Sequence, residues 1–261
     1  MTMIASNTDQ RTGLGKRQIL LPLLFGIAFL IGWEALYQSG TVSKLILAGP
    51  SAVIVAAIQN WREMVVNAGV TMVEALAGFA LGNLAGLLVA LAFVRWQPFK
   101  RAVFPLAILC EAIPVVAILP VLILWLGNGM GPKIFIAGFL SFFPMLVNAY
   151  RGLINTDADM MELLHSYSAS PRQIMWTVRL PSALPFMFTA IKLSACGSMV
   201  AALVAEWLAS EAGLGHLIVY YGLGYRIPNV WAAAILACLI SLAFYALAAL
   251  AEKWVLRRRL R

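Results

Sequence analysis

This chain carries little charge. Only 11% of its 261 residues are Asp, Glu, Lys or Arg, while 62% are hydrophobic. Soluble domains run near half apolar and about a quarter charged, so a water-soluble globule is excluded. Histidine is nearly absent: His165 and His216 are the only two. With no HExxH, no GxSxG and no repeated Asp pattern, the chain lacks the converging groups that catalysis needs. Its three cysteines, Cys110, Cys196 and Cys238, sit inside apolar runs without CxxC or metal spacing. They read as packing residues and exclude a thiolate metal site. A phosphate-binding loop is also missing. Gly13-Leu-Gly-Lys16 has neither the five-residue spacing nor the hydroxyl after the lysine.

What the chain does have is long greasy runs. They predict an all-α polytopic membrane protein of six spans: 19–37, 72–94, 102–126, 134–150, 186–209 and 230–251. Residues 1–18 form a polar N-terminal tail, and 19–70 hold the first span and a mixed extramembrane segment. In that segment Gly49-Pro50-Ser51 makes a turn before a short amphipathic helix reaching Trp61. Residues 71–252 form the core, and 253–261 a basic tail. The first run is long for a signal-peptide core and no small-x-small site follows it, so it reads as a retained span. Gly78, Gly82 and Gly86 make a small-residue ridge for close helix approach. Pro105, Pro114 and Pro120 interrupt the third span.

The formal net charge of +8 invites nucleic acid as a partner, but the basic residues flank apolar runs. Topology and anionic headgroups explain them, and the lipid bilayer is the expected contact. An N-terminus inside puts Arg11, Lys16, Arg17, Arg95, Lys100, Arg101, Arg151, Arg172, Arg179, Lys253 and the final arginines in the cytoplasm. Lys44, Arg62, Lys133 and Arg226 are left outside. That asymmetry obeys the positive-inside rule and places both termini in the cytoplasm.

One polar stretch, 155–181, stands between the fourth and fifth spans. Thr156 or Asp157 can N-cap a first helix, with Asp159 and Glu162 near its positive end. Ser170-Pro171-Arg172-Gln173 is a capping box with Pro at N1, so a second helix starts there. Pro181 and Pro185 are expected to stop it.

This stretch resembles the cytoplasmic coupling loop of ABC-importer permease subunits. The family pattern is Glu-Ala-Ala, three residues, Gly, nine residues, Ile-x-Leu-Pro. Glu162-Leu163-Leu164, Ser168 and Val178-Arg179-Leu180-Pro181 keep its spacing, with leucines for the alanines and Ser168 for the glycine. From about Ala48 onward the chain is similar to the nitrate/sulfonate/taurine branch of these permeases. The matching pieces include Ala48-Gly-Pro-Ser-Ala52, the stretch from Thr71 to Phe79, Ile113-Pro114, Leu124-Trp125-Leu126-Gly127, Phe143-Pro144 and 213–218. The resemblance implies a bacterial inner-membrane permease that works as a homodimer on a dimer of ATPase subunits. A solute-binding protein would serve it from outside. ATP and Mg would be bound by the partner, and the chain itself would carry no cofactor and no catalytic residue. Glu162, Leu163, Leu164, Tyr167, Ser168, Arg172, Trp176, Leu180 and Pro181 are the expected coupling residues. Met160 and Met161 are further apolar anchors, with Glu162 and Arg172 at the rim.

Intramembrane carboxylates mark paths or interior pairs. Glu34 and Glu74 fall near span ends and are expected to reach the headgroups. Glu111 reads as mid-span before the Pro114 kink; Glu206 continues the ridge Ser194, Ser198, Ala202. That stripe suits a helix interface or a path lining, and Lys192 is a possible ion partner for Glu206. Glu111, Pro114, Ser194, Ser198 and Glu206 are therefore the expected translocation-path residues. Relatives of the sulfonate type often carry Arg just before the Ile/Val-Pro pair. Glu111 in that place leans the solute toward a neutral or cationic, pyrimidine-like nutrient rather than a sulfonate, taurine or nitrate. An ion-coupled secondary transporter is the alternative, but the internal repeats it would bring are not seen.

Overall fold

The computed structural model describes residues 9–259, and the side chains of 20–257 apart from His165. Expectations resting on residues 1–8, on the side chains of Arg11, Lys16, Arg17 and the final arginines, and on the His165 ring lie outside the described residues. Among the described residues every regular element is helical. Among the described residues five helices are long and apolar enough to cross a membrane, and a bent pair brings the number to six when it is counted as one span. The chain divides into two compact units.

The smaller unit comprises the residues up to Trp61 together with 221–232. Its long helix α1 (Asp9–Gln38) is followed by the short α2 (Pro50–Gln59). The Glu34 carboxylate accepts from the Ser51 amide at 3.0 Å and the Ser51 hydroxyl at 2.7 Å. It therefore caps α2, whose own N-cap, Gly49, has no side chain to do so. Trp33 lies against Trp231 at 5.2 Å between ring centroids.

The larger unit holds the rest. Helix α3 (Trp61–Arg95) begins eleven residues before the expected span, so 62–70 is helical rather than irregular. Helix α6 (Met130–Ile154) packs along it. A Cβ on Gly78 or Gly82 would run into Ala137 and the Gly138 backbone, and one on Gly86 into the Phe142 carbonyl. The glycine ridge thus brings two backbones together, as such ridges do in lipid. Helix α6 also packs on α9 (Leu180–Ala209), where Gly152 admits Ala183 and Phe186. Their core gathers Phe93, Leu146, Ala149, Leu153, Ala183, Met187 and Ala190.

The third expected span is not one rod. Helices α4 (Gln97–Glu111) and α5 (Val115–Leu126) meet at 100°. Pro114 is the reason. It has no amide to continue α4, it restrains Ile113, and its extended backbone (φ −62°, ψ 122°) becomes the N-cap of α5. Pro105 and Pro120, by contrast, are accommodated inside their helices.

Candidate functional site

Three places carry polar groups that an apolar bundle does not need. The first is the hairpin. Helix α7 (Ala158–Ser166) is capped by Asp157, whose side chain accepts from the Asp159 amide at 2.9 Å. Its far end closes with the Ala169 amide donating to the Leu164 carbonyl at 3.0 Å, while Ser168 sits at φ 54°. A residue in the left-handed region followed by this 6→1 bond is a Schellman turn. Ser168 does what glycine would do there, at some steric cost. Helix α8 (Pro171–Ile174) opens on the complete capping box, with the Ser170 amide donating to Gln173 Oε1 at 2.7 Å.

Past α8 the expectation fails. Pro181 and Pro185 do not end the second helix. A π-turn (Met175–Arg179) carries it into α9, and Pro185 lies inside α9. The wide turn takes up the place where Pro181 offers no amide, so the chain runs without a break. The hairpin's second arm and the membrane helix α9 are one continuous rod. Tyr167 is 77% exposed and Trp176 65%, and Glu162, Leu163, Ser168 and Arg172 are exposed beside them. Met160 is exposed as well, whereas Met161, Leu164, Leu180 and Pro181 are half-buried.

The second place is the break between α4 and α5. Glu111 is the last residue of α4, exposed, and makes no hydrogen bond or ion pair among the described residues. No residue of α4 is buried. Leu109, Ile113, Val116 and Pro114 are exposed with it.

The third place is a buried polar knot where α3, α6 and α9 meet. Glu206 accepts from the Thr71 hydroxyl at 2.7 Å and from the Gly215 amide at 2.6 Å. Asn67 Oδ1 accepts from the Gly213 amide at 2.7 Å, and Thr71 Oγ1 from the Leu214 amide at 2.9 Å. Three side chains from α3 and α9 thus cap the start of α10 (Leu214–Leu223), and Glu206 stands at the positive end of its dipole. Gly213, at φ 107°, has the Glu206 carboxylate where a Cβ would be. Glu74 is fully buried and pairs with Lys133 at 3.7 Å, and Lys133 donates to Ser210 Oγ at 2.8 Å. Glu74 therefore does not reach the headgroups.

Ser194, Ser198 and Glu206 are closed between helices, with Ser194 donating to Asn83 Oδ1 at 3.0 Å. The stripe fills a helix interface in this conformation. Lys192 is not the partner of Glu206; it pairs with Glu252 at 2.6 Å. Sequence reasoning missed Asn67, Thr71 and Lys133 in the knot. Gly213-Leu-Gly215 opening a helix a few residues past Glu206 was the available signal.

A broken apolar pair and a capped polar hairpin continuous with a long apolar helix place the chain among polytopic membrane proteins. The family model for "Binding-protein-dependent transport system inner membrane component" matches residues 82–261. A probable ABC transporter permease protein of Haemophilus influenzae is 30% identical over 93% of this chain and 98% of its own. A formylaminopyrimidine transport permease protein of Halalkalibacterium halodurans is 30% identical, covering 76% of this chain and 80% of that one. A crystal structure of an amino acid ABC transporter superposes with a TM-score of 0.64 at 15% identity, covering 76% of this chain and 97% of that one. The chain belongs to the inner-membrane components of binding-protein-dependent transport systems, as a permease subunit of an ABC importer.

Proposed function

We propose that two copies of this chain form the path for a small nutrient and take their power from an ATPase docked on the hairpin 155–181. The observation that carries the reading is the continuity of that hairpin with α9. A rod capped at its polar end and unbroken into the membrane moves as a lever. Tyr167 and Trp176 are large, exposed aromatic anchors for a groove on a partner, with Glu162 and Arg172 at their rim. ATP and Mg belong to that partner. The positive-inside asymmetry supports a cytoplasmic hairpin and cytoplasmic termini. A solute-binding protein then delivers from the opposite side.

The homodimer rests on the break. Helix α4 is 15 residues, about 22 Å, so its end lies deep in the bilayer. An open helix end and an exposed carboxylate there cannot face lipid, where a charge costs about 2.5–3.5 kcal/mol on insertion scales. A second copy opposite α4 and α5 covers them and leaves a watery path along Glu111 and Pro114. The knot around Glu206, with Ser194 and Ser198, serves as the scaffold beside that path. The solute is of the sulfonate/taurine/nitrate or pyrimidine-like type; the pyrimidine carried by the Halalkalibacterium relative supports the second. Cross-linking tests the docking. In the purified importer, Tyr167→Cys joined by a short bifunctional reagent is expected to capture the ATPase subunit. Capture of the binding protein instead, or of no subunit, would refute it.

A further inference from the structure

Among the described residues Glu111 has no hydrogen-bond or ion-pair partner. Of the other acidic side chains in these helices, Glu74 is engaged with Lys133, Glu206 with Thr71 and Gly215, and Glu252 with Lys192. The cations of the neighbouring elements are equally committed or distant. Lys133 is held by Glu74 and Ser210, and Lys100 lies over the Tyr150 ring at 4.6 Å. Lys100 and Arg101 are ten or more residues back along α4, about 15 Å from Glu111. Helix α5 carries no charge at all. Glu111 stands at the negative end of its own helix, α4, and four residues before the positive end of α5, so the two helix dipoles act on it in opposite senses. A carboxylate kept exposed at a break, with no partner among the described residues, contributes no bond that holds the fold together. Its use must lie with something that passes.

We infer that Glu111 makes the path prefer cations, so that the solute carries a protonated nitrogen or a cluster of N–H donors rather than an anionic head. This rests on the path reading above, in which the two-fold axis sets two Glu111 carboxylates across the break. Paired acidic side chains at a constriction attract cations and repel anions, as rings of Asp or Glu do in cation channels. Sulfonates, taurine and nitrate are then the disfavoured half of the expected solutes.

The neighbouring Cys110 is exposed and offers a local probe. In the importer with Cys196→Ala and Cys238→Ala, its modification is timed with two methanethiosulfonates, one bearing trimethylammonium and one sulfonate. Their rate ratio is compared between Glu111 and Glu111→Gln, which removes the intrinsic difference between reagents. A unit charge about 6 Å away in a water-like dielectric changes each rate about threefold, in opposite directions, so the cation preference is expected to fall about tenfold. Glu111→Lys should invert it. An unchanged ratio with both reagents reacting overturns the charge preference and leaves the watery path standing. Failure of both reagents to react shows the break is dry, and overturns the path reading and this inference together.

Discussion

Gly82 faces the Gly138 backbone so closely that a methyl group has nowhere to go. Gly82→Ala forces α3 and α6 apart and is expected to destabilise the fold by about 1–3 kcal/mol. Thermal unfolding in detergent reads this as a lower midpoint, whereas Gly69→Ala, with open space around it inside the helix, holds or slightly raises the midpoint. The Glu74–Lys133 pair makes a second prediction at this scale. Lys133→Met strands a buried carboxylate and is expected to cost about 3–5 kcal/mol. Glu74→Gln with Lys133→Met removes both charges and should recover most of that loss, a coupling that a double-mutant cycle measures. Neither partner of this pair announced the other in the sequence. Glu74 and Lys133 sit on different helices, and their meeting depends on how the Gly78–Gly82 ridge seats α6. The ridge itself was legible, because small residues four apart on an apolar helix have one common use.

At the scale of elements, the two ends of the hairpin differ in how openly the sequence spoke. The Ser170 capping box and the Asp157 cap follow from side-chain chemistry within four residues, and both formed as expected. The π-turn did not follow, because Pro181 reads locally as a stop and only the packing of α9 against α6 keeps the helix going past it. Likewise Ile113-Pro114 signals a kink but not its size, which the contacts around α4 and α5 set. Pro181→Ala restores an amide and lets the π-turn tighten to an α-helix. One residue fewer in the turn rotates the hairpin by about 100° relative to α9. The expected result is a stable permease in which uptake falls while ATP hydrolysis continues. Ser168→Gly relieves the left-handed strain and is expected to stabilise the hairpin by about 1 kcal/mol, read as slower amide exchange at 163–169.

For the whole molecule, the class was plain from composition, and the family from the spacing of Glu162, Ser168, Leu180 and Pro181. The path was less so, since Ser194 and Ser198 make a stripe that serves a helix interface as well as it would serve a channel. What remains is whether force enters through the hairpin. The direct measurement is the number of solute molecules imported per ATP hydrolysed by the importer in proteoliposomes, with Glu162→Lys against the native chain. A reversed charge on the exposed rim disturbs docking without touching any buried contact. The account predicts at least a tenfold drop in that ratio with the subunits still co-purifying. A ratio equal to that of the native chain would contradict it.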